Sequence, residues 1–374
     1  MINPLFLRKT TIKSIYIQII MAFESKKSAF VELGNFLRQF SIQGNTKNPN
    51  VKNNDAFYEK FIDLIDLSQS HNGWFTPEQV YFAIKSWADA LTEQNLTNWL
   101  SNYSIPNNEP KNVGLILAGN IPLVGFHDFL CVILSGNKAL IKTSSNDQKL
   151  LPFLIDYLIS VDADFSKHIE FVDGKLENFD AVIATGSNNT ARYFEYYFKN
   201  KPAIIRKNRN SVAVLTGKET KEELILLGED IFRYFGLGCR NVSKLFVPKN
   251  YSFDLFFEAM FEYKDVIHYE KYANNYDYNK AVFLMSNYKL LDNGFLTLKE
   301  DTQQYASPIS SIFYQQYDSL AQLQQQLTQD TPLLQCIVSN GCIPDSIGFG
   351  QTQKPNLWDY ADGIDTLTFL TKLG

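Results

Sequence analysis

The stretch "NVGLILAGNIPLVGFHDFLCVILSGNKALIKTSS", residues 112–145, decides the fold class. It has the pattern of a buried strand, a helix that ends at Gly-Asn, and a second strand, "KALIK". The same alternation continues through the strands "HIEFVDG" and "DAVIATGS" and the helix "NTARYFEYYFKN". Strands that alternate with helices predict parallel βαβ units, which bind ligands at the carboxyl ends of their strands. We therefore expect an α/β protein.

Composition and charge exclude several other classes. The 374 residues are 45% apolar and 20% charged, as in ordinary soluble globular proteins. The net charge of −5 is spread along the chain, so we expect no nucleic-acid partner. No apolar run has the length of a membrane span. The four cysteines and four histidines are scattered without metal-ligand or disulfide spacing, so we expect no metal and a reducing, cytoplasmic location.

The pattern of predicted helices and strands changes along the chain and predicts a domain organisation. Ahead of the α/β region, the stretch that begins "MAFESKKSAFVELGNFLRQF" predicts a helical segment. The moderately apolar residues before it have no cleavage site, and we expect a loosely ordered extension with Met21 as the true start. The predicted divisions are an extension (1–21), N-terminal helices with a cofactor domain (22–210), a catalytic domain (211–345) and a C-terminal segment (346–374).

Polar residues follow three of the predicted strands. "AGNIPLVG" places Asn120 where the first strand meets a helix, and "IKTSSND" places Lys142 at the end of the second. "ATGSNNTAR" places Gly186 and Ser187 at a helix N-terminus, where free N–H groups and the helix dipole favour a phosphate. Each loop alone also fits a simple helix cap. Their order within one α/β frame favours a shared ligand site.

A fourth loop, "FGLGCRN" at residues 235–241, carries a cysteine. Gly236 and Gly238 free the backbone to bend and allow another molecule to approach Cys239 closely. The other three cysteines lie in apolar runs or beside a turn, where core packing explains them. Cys239 therefore fits either a tight corner between helix and strand or a catalytic nucleophile.

Taken together, "AGNIPLVG…SGNKALIKTSS…ATGSNNTAR…SVAVL…FGLGCRN" resembles the aldehyde dehydrogenase superfamily, and more closely its acyl-CoA reductase branch of long-chain fatty-acid reductases of the bacterial luminescence type. The closing "DYADGIDTLTFL" is similar to the same branch. The resemblance implies an aldehyde-dehydrogenase-like fold, with a Rossmann-type cofactor domain, an α/β catalytic domain and a helical N-terminal segment. It also implies a homo-oligomer, for which the strand-like "DTLTFLTKL" is a candidate contact that also fits an internal strand.

The resemblance assigns roles to individual residues. Cys239 matches the nucleophile, and Asn120 matches the asparagine whose amide stabilises the oxyanion together with the cysteine's own N–H. Lys142 and Ser144 match the lysine and serine of the family's K-P-S-E stretch, which holds the adenosine ribose. The predicted cofactor-binding residues are Lys142, Thr143, Ser144, Ser145, Gly186 and Ser187.

Two departures from the general dehydrogenase pattern bear on the reaction. The glutamate that activates water in hydrolytic members aligns with Ile205, which cannot act as a base. Ser145 stands where K-P-S-E has its glutamate, and the missing carboxylate favours NADPH and leaves NADH open. The basic residues Arg206, Lys207 and Arg209 fit a solvated edge better than a phosphate site.

These residues predict the NADPH-dependent reduction of an acyl-CoA or acyl-carrier thioester to an aldehyde through a Cys239 acyl-enzyme. The family resemblance and the 29 Phe and 20 Tyr favour a long acyl chain. The same residues also fit a CoA-acylating aldehyde dehydrogenase that runs the chemistry in reverse, and a reductase of acyl phosphates. A non-catalytic nucleotide-binding protein of the same fold is the alternative from a different class.

Overall fold

The computed structural model describes residue 21 and residues 23–104 and 109–373. The predicted extension before Met21 lies outside the described residues. The chain forms two compact units. The first runs to Lys207 and includes Asn356–Tyr360 and Ile364–Gly374, and the second comprises Asn208–Pro355 and Ala361–Gly363. The division falls three residues before the predicted boundary of 210/211, and the C-terminal segment is shared between the units rather than separate.

The first unit opens with helices whose apolar faces form one core. They are α1 (23–37), α2 (Asn54–His71), α3 (Pro77–Ala90) and α4 (Glu93–Leu100). The sequence from Thr76 to Tyr103 predicts one long helix, but the structure breaks it before α4. The Thr92 side chain accepts a hydrogen bond from the Asn95 N–H at 3.1 Å and so begins α4 as a new helix. Phe30, Phe36 and Phe61 are fully buried in this core.

A parallel five-stranded sheet completes the first unit. Its strand order is β3-β2-β1-β4-β5, and every pair is parallel. The order reverses between β1 and β4, which places a topological switch point at the carboxyl ends of these two strands. The elements are β1 (Asn112–Ile116), α5 (Phe126–Leu134), β2 (Lys138–Lys142), α6 (Leu150–Val161), β3 (Ile169–Phe171), β4 (Ala181–Thr185), α7 (Asn188–Tyr197) and β5 (Ala203–Arg206).

The second unit is built on a six-stranded sheet of order β11-β6-β7-β10-β9-β8. All pairs are parallel except β8 with β9. The elements are β6 (Asn210–Val214), α8 (Lys221–Phe232), β7 (Val242–Pro248), α9 (Asp254–Met260), α10 (Glu270–Met285), β8 (Leu290–Asp292), β9 (Thr297–Glu300), β10 (Ser311–Tyr317), α11 (Leu320–Gln329) and β11 (Leu334–Val338). A tight turn, Arg233–Gly236, connects α8 to the loop that precedes β7.

The predicted C-terminal strand is wrong. Thr366–Thr371 form a helix, α12, which belongs to the first unit and buries Leu367 and Leu370 in its core. The Asp365 side chain begins this helix by accepting a hydrogen bond from the Thr368 N–H at 2.8 Å. This segment therefore has no strand that could pair with a neighbouring subunit's sheet.

Candidate active site

Asn120 lies in the loop after β1, four residues beyond the end of the strand, and is exposed. The loop packs closely against the loop after β2, because a Cβ added at Gly119 would come within 2.7 Å of the Ser144 side chain. Leu123, three residues after Asn120, has a left-handed backbone with a φ of 59°. Asn120 therefore lies between a strand, β1, and a helix, α5, at the carboxyl edge of the sheet.

The predicted ribose-binding residues follow β2. Lys142 is the last residue of the strand, and its Nζ donates a hydrogen bond to the Gly174 carbonyl in the loop after β3, at 2.7 Å. Ser144 Oγ accepts a hydrogen bond from the Asn146 N–H at 3.2 Å. Thr143 and Ser144 are half-buried and Ser145 is exposed. Hydroxyls and a lysine amine thus lie together at the carboxyl edge of the sheet.

Sequence reasoning missed Asp147, which connects the loops after β1 and β2. Its Oδ2 accepts a hydrogen bond from the Leu123 N–H at 3.3 Å, and its carboxyl also accepts from the Lys149 and Leu150 N–H groups where α6 begins. Burial raises the pKa of this carboxyl to about 6, although the backbone donors oppose that shift. Asp147 thereby holds the left-handed Leu123 and the loop of Asn120. The only signal in the sequence is an aspartate shortly before a helix.

Gly186 and Ser187 follow β4 and begin α7. Ser187 is the N-cap, and its Oγ accepts a hydrogen bond from the Thr190 N–H at 3.2 Å. The Gly186 N–H donates to the Arg206 carbonyl at 3.2 Å, which continues the pairing of β4 with β5. The N-terminus of a ten-residue helix therefore lies at the carboxyl edge of the sheet, on the other side of the switch point from β2.

The first unit thus brings the polar groups of the three predicted loops to one edge of its sheet. They are a lysine amine, hydroxyls, an exposed amide and a helix N-terminus, and two of the loops contact each other closely at Gly119. This donor set fits the phosphates and ribose hydroxyls of a dinucleotide. Position 145, which would face the ribose by resemblance, holds a serine in place of the family's glutamate and so carries no carboxylate. The residues present therefore fit a dinucleotide.

Cys239 belongs to the second unit and lies three residues before β7. It is therefore at the amino edge of that sheet, whereas the general rule for parallel strands places ligands at the carboxyl edge. All four cysteines are among the described residues. Cys131 and Cys336 are buried, Cys342 is half-buried, and Cys239 alone is exposed. Its accessibility suits a nucleophile better than a packing residue.

Two buried side chains that the sequence did not single out hold the backbone around Cys239. Ser211 on β6 donates its Oγ to the Cys239 carbonyl at 2.9 Å. Asn241 accepts a hydrogen bond from the Gly238 N–H at 2.8 Å. Ser211 opens the stretch "SVAVL" and Asn241 closes "FGLGCRN", but nothing in the sequence indicates that their side chains bond to the backbone around Cys239.

The basic residues at the end of β5 and directly after it do not form the predicted solvated edge. Arg206 is buried and forms an ion pair with Asp128, and it donates to Thr366 Oγ1 at 3.0 Å. Arg209 donates to the Leu334 carbonyl at 3.2 Å and lies 3.5 Å from the Asp362 carboxylate. Only Lys207 forms the kind of exposed ion pair that was expected, with Glu195. Arg206 therefore joins the core of the first unit to its C-terminal helix.

Among residues 23–104 and 109–373, no three histidine, cysteine or acidic side chains are grouped as a metal ion would require. Over the same residues, no helix combines the length and the hydrophobicity that crossing a membrane needs.

Comparison with known proteins places the chain beside a set of reductases. Residues 71–256 match the family described as acyl-CoA reductase (LuxC). A curated relative, long-chain acyl-protein thioester reductase 2 of Photobacterium leiognathi, is 25% identical over 56% of this chain and 48% of its own length. The chain spans about half the length of the curated relatives it matches.

Solved structures confirm the fold. Aldehyde dehydrogenase 21 of Physcomitrella patens, in complex with succinate, has a TM-score of 0.64 at 11% identity, over 94% of this chain and 84% of its own. The indole-3-acetaldehyde dehydrogenase AldA of P. syringae, in complex with NAD⁺, has a TM-score of 0.55 at 11% identity, over 84% of this chain and 70% of its own. The predicted aldehyde-dehydrogenase-like α/β fold and the resemblance to the acyl-CoA reductases are both confirmed.

Proposed function

We propose that this relative of the acyl-CoA reductases reduces a long-chain acyl thioester to the free aldehyde, with NADPH as the reductant and Cys239 as the acyl acceptor. The observation that carries the proposal is the exposed Cys239 thiol on a loop whose backbone is bonded to buried side chains. The long chain and the thioester are taken from the relatives, whose names state both.

The first half of the reaction uses Cys239. Its sulfur, as the thiolate, forms a bond to the acyl carbonyl carbon, and the bond from that carbon to the thiol of CoA or of a carrier breaks. The leaving thiolate takes up the proton that Cys239 has lost. Asn120 carries an amide N–H donor that would stabilise the oxyanion, as the resemblance implies. The product is a thioester on Cys239.

The second half regenerates the cysteine. NADPH supplies, when bound, the hydride that the acyl carbonyl carbon accepts. The carbon–sulfur bond to Cys239 then breaks, the aldehyde leaves, and the thiolate returns. Lys142, Thr143, Ser144 and Ser145 would hold the ribose side of the cofactor, and Gly186 and Ser187 would lie near its phosphates. One thioester, one NADPH and one proton thus give one aldehyde, one thiol and one NADP⁺.

The absence of a carboxylate at position 205 supports reduction over hydrolysis. Ile205 occupies the third position of β5 and carries no group that removes a proton from water. The acyl-enzyme therefore persists until hydride or a thiol reaches it. We also propose the cytoplasm as the location, because a thiol nucleophile needs a reducing environment. Assembly into a homo-oligomer stays a prediction from the resemblance.

Intact-mass measurement of the protein mixed with hexadecanoyl-CoA, without cofactor, tests the proposal. We expect a mass gain equal to the acyl group, and its release as aldehyde when NADPH is added. Cys239→Ala should show no gain, whereas Cys342→Ala, which removes a half-buried cysteine of the same unit, should behave as wild type. No adduct with hexadecanoyl-CoA, an acyl-carrier thioester or an acyl phosphate would refute the mechanism. Rates measured in both directions separate it from a CoA-acylating dehydrogenase.

A further inference from the structure

The side chain of Asn241 joins both ends of the turn that carries Cys239. It is buried, with 3% of its surface exposed. Its Oδ1 accepts a hydrogen bond from the Gly238 N–H at 2.8 Å, one residue before the cysteine. Its Nδ2 donates to the carbonyls of Asp230 at 3.1 Å and Arg233 at 2.8 Å, where α8 ends. Both functions of the amide are therefore used within one turn.

The turn that Asn241 closes has a backbone that its own residues disfavour. Tyr234 has a φ of 53° and Phe235 a φ of 57°, and Gly236 follows with a φ of 78°. Three successive left-handed residues are uncommon, and two of these three are bulky aromatic residues, for which that region is disfavoured. Such a conformation persists only where its surroundings impose it. The buried rings of Tyr234 and Phe235 and the bonds of Asn241 supply that constraint.

Ser211 holds the other side of Cys239. This serine is fully buried, and its hydroxyl donates to the Cys239 carbonyl. Buried side chains thus bond to the backbone on both sides of the Cys239 thiol, at the Gly238 N–H and at the Cys239 carbonyl. Cys239 itself stays exposed. A reactive group on a fixed backbone is the arrangement that lowers the entropic barrier to attack.

We propose that Asn241 is a positioning residue for the acyl transfer to Cys239. It acts through the backbone by fixing the direction of the thiol and of the Cys239 N–H. This inference rests on the proposed role of Cys239 as acyl acceptor. A displacement of about 1 Å in a reacting group can lower a rate about 100-fold, so the loss of the Asn241 bonds should slow acylation far more than it slows reactions that tolerate any approach.

The test compares two reactions of the same thiol in Asn241→Ala. Acylation is measured with p-nitrophenyl acetate and with hexadecanoyl-CoA, and alkylation is measured with iodoacetamide. We expect the acylation rate to fall about 10- to 100-fold and the alkylation rate to stay within about threefold. Asn293→Ala is the matched control, because Asn293 Oδ1 likewise accepts hydrogen bonds from backbone N–H groups, those of Phe295 and Leu296, in a turn of the same unit. It should change neither rate.

The outcomes separate the possible failures. Unchanged acylation in Asn241→Ala would overturn the proposal, and so would an equal fall of both rates in a folded variant, which would indicate reduced access to the thiol and not a change in its direction. Acylation of the wild type by p-nitrophenyl acetate but not by any thioester would refute the proposed function. The rates of wild type and Asn241→Ala with p-nitrophenyl acetate would then decide the positioning role. A wild-type thiol that neither acyl donor modifies would overturn both.

A measurement on the wild type covers the case in which Asn241→Ala does not fold. Hydrogen exchange of the peptide that contains Gly238 reports directly on the bond to Asn241. We expect the Gly238 amide to exchange at least about tenfold more slowly than an unstructured amide of the same sequence. Free exchange at Gly238 would overturn the proposed constraint without any variant.

Discussion

Lys244 allows a test of how much a buried charge lowers the stability of the second unit. It lies on β7, the strand that follows the Cys239 loop, and none of its surface is exposed. Within the part of the chain that the structure describes, its Nζ has no hydrogen-bond partner. The nearest compensation comes from the rings of Tyr305 and Phe246, whose centroids lie 4.7 and 5.1 Å from Nζ. Burial lowers the pKa of this amine to about 8.

We predict that Lys244→Met stabilises the protein at neutral pH. The difference between a pKa of about 8 in the folded chain and 10.5 in the unfolded chain corresponds to a charging cost of about 3 kcal/mol. The two ring contacts are worth about 1–2 kcal/mol together and are lost in the variant. Desolvation is the larger effect, so the free energy of unfolding at pH 7 should rise by about 1–2 kcal/mol. Methionine fills a similar volume and loses no hydrogen bond.

The pH dependence gives an independent check of the same reasoning. Because the folded pKa lies below the unfolded one, the unfolded chain binds the extra proton between about pH 8 and pH 10.5. The wild type should therefore gain stability relative to Lys244→Met as the pH rises through this window, and the advantage of the variant should disappear. Below pH 8 the difference between the two proteins should be constant.

Urea unfolding followed by far-UV circular dichroism at pH 7 and pH 9.5 measures both quantities. Tryptophan fluorescence alone is unsuitable, because all four tryptophans belong to the first unit. Lys299→Met is the matched control, since Lys299 is also nearly buried but lies 3.0 Å from the Asp301 carboxylate. It should destabilise the protein by about 1–3 kcal/mol by leaving that carboxylate without its cation. A Lys244→Met variant that is less stable than wild type at pH 7, or a difference that does not change with pH, would refute the reasoning.

Three further predictions concern the proposed chemistry and the C-terminal helix. Asn120→Ala should lower kcat about 100-fold with little change in the KM for the thioester, as measured by steady-state kinetics, whereas Asn146→Ala in the neighbouring loop should leave kcat within about twofold. Ser145→Glu should lower kcat/KM with NADPH about tenfold relative to NADH, because a carboxylate there repels a 2′-phosphate; an equal effect on both cofactors would place the 2′-phosphate elsewhere. Asp365→Ala should lower the free energy of unfolding of the first unit by about 1 kcal/mol, followed by tryptophan fluorescence in urea, because it removes the N-cap of α12. No change would mean that packing of Leu367 and Leu370 alone sets this helix.

Much of the α/β framework could be predicted from the sequence, because its strands are short apolar runs separated by helical periodicity. The run "KALIK" became β2 residue for residue, and β1 takes the first five residues of the predicted strand "NVGLILAG". The C-terminal helix could not be predicted in this way. "DTLTFLTKL" alternates like a strand, and its helical state depends on the cap at Asp365 and on contacts with distant elements, such as the bond from Arg206 to Thr366. Local pattern and tertiary context disagree there, and the tertiary context decides the structure.

The residues that hold the candidate site were harder to predict than the residues that would react. Cys239 and Asn120 are recognisable because their loops carry glycine and because their order resembles a family. Asn241 and Asp147 also lie in the predicted loops, but the sequence assigns them no role, since their roles depend on bonds to backbone groups several residues away. Arg206 was misassigned for a related reason. A basic residue at the end of a strand is usually exposed to solvent, and only the three-dimensional structure shows Asp128 as the partner of Arg206.

Each unit holds its candidate site loop in the same physical way. In the first unit, the left-handed Leu123 beside Asn120 is bonded to Asp147, and in the second, the left-handed Tyr234 and Phe235 before Cys239 are closed by Asn241. A strained loop relaxes when a buried polar side chain that holds it is lost, even though the reactive side chain remains. Relatives that retain a cysteine at this position but lack the asparagine two residues later should therefore keep a reactive thiol and transfer acyl groups slowly. Retention of Cys239 alone is thus weaker support for the reductase activity than retention of Cys239 together with Asn241.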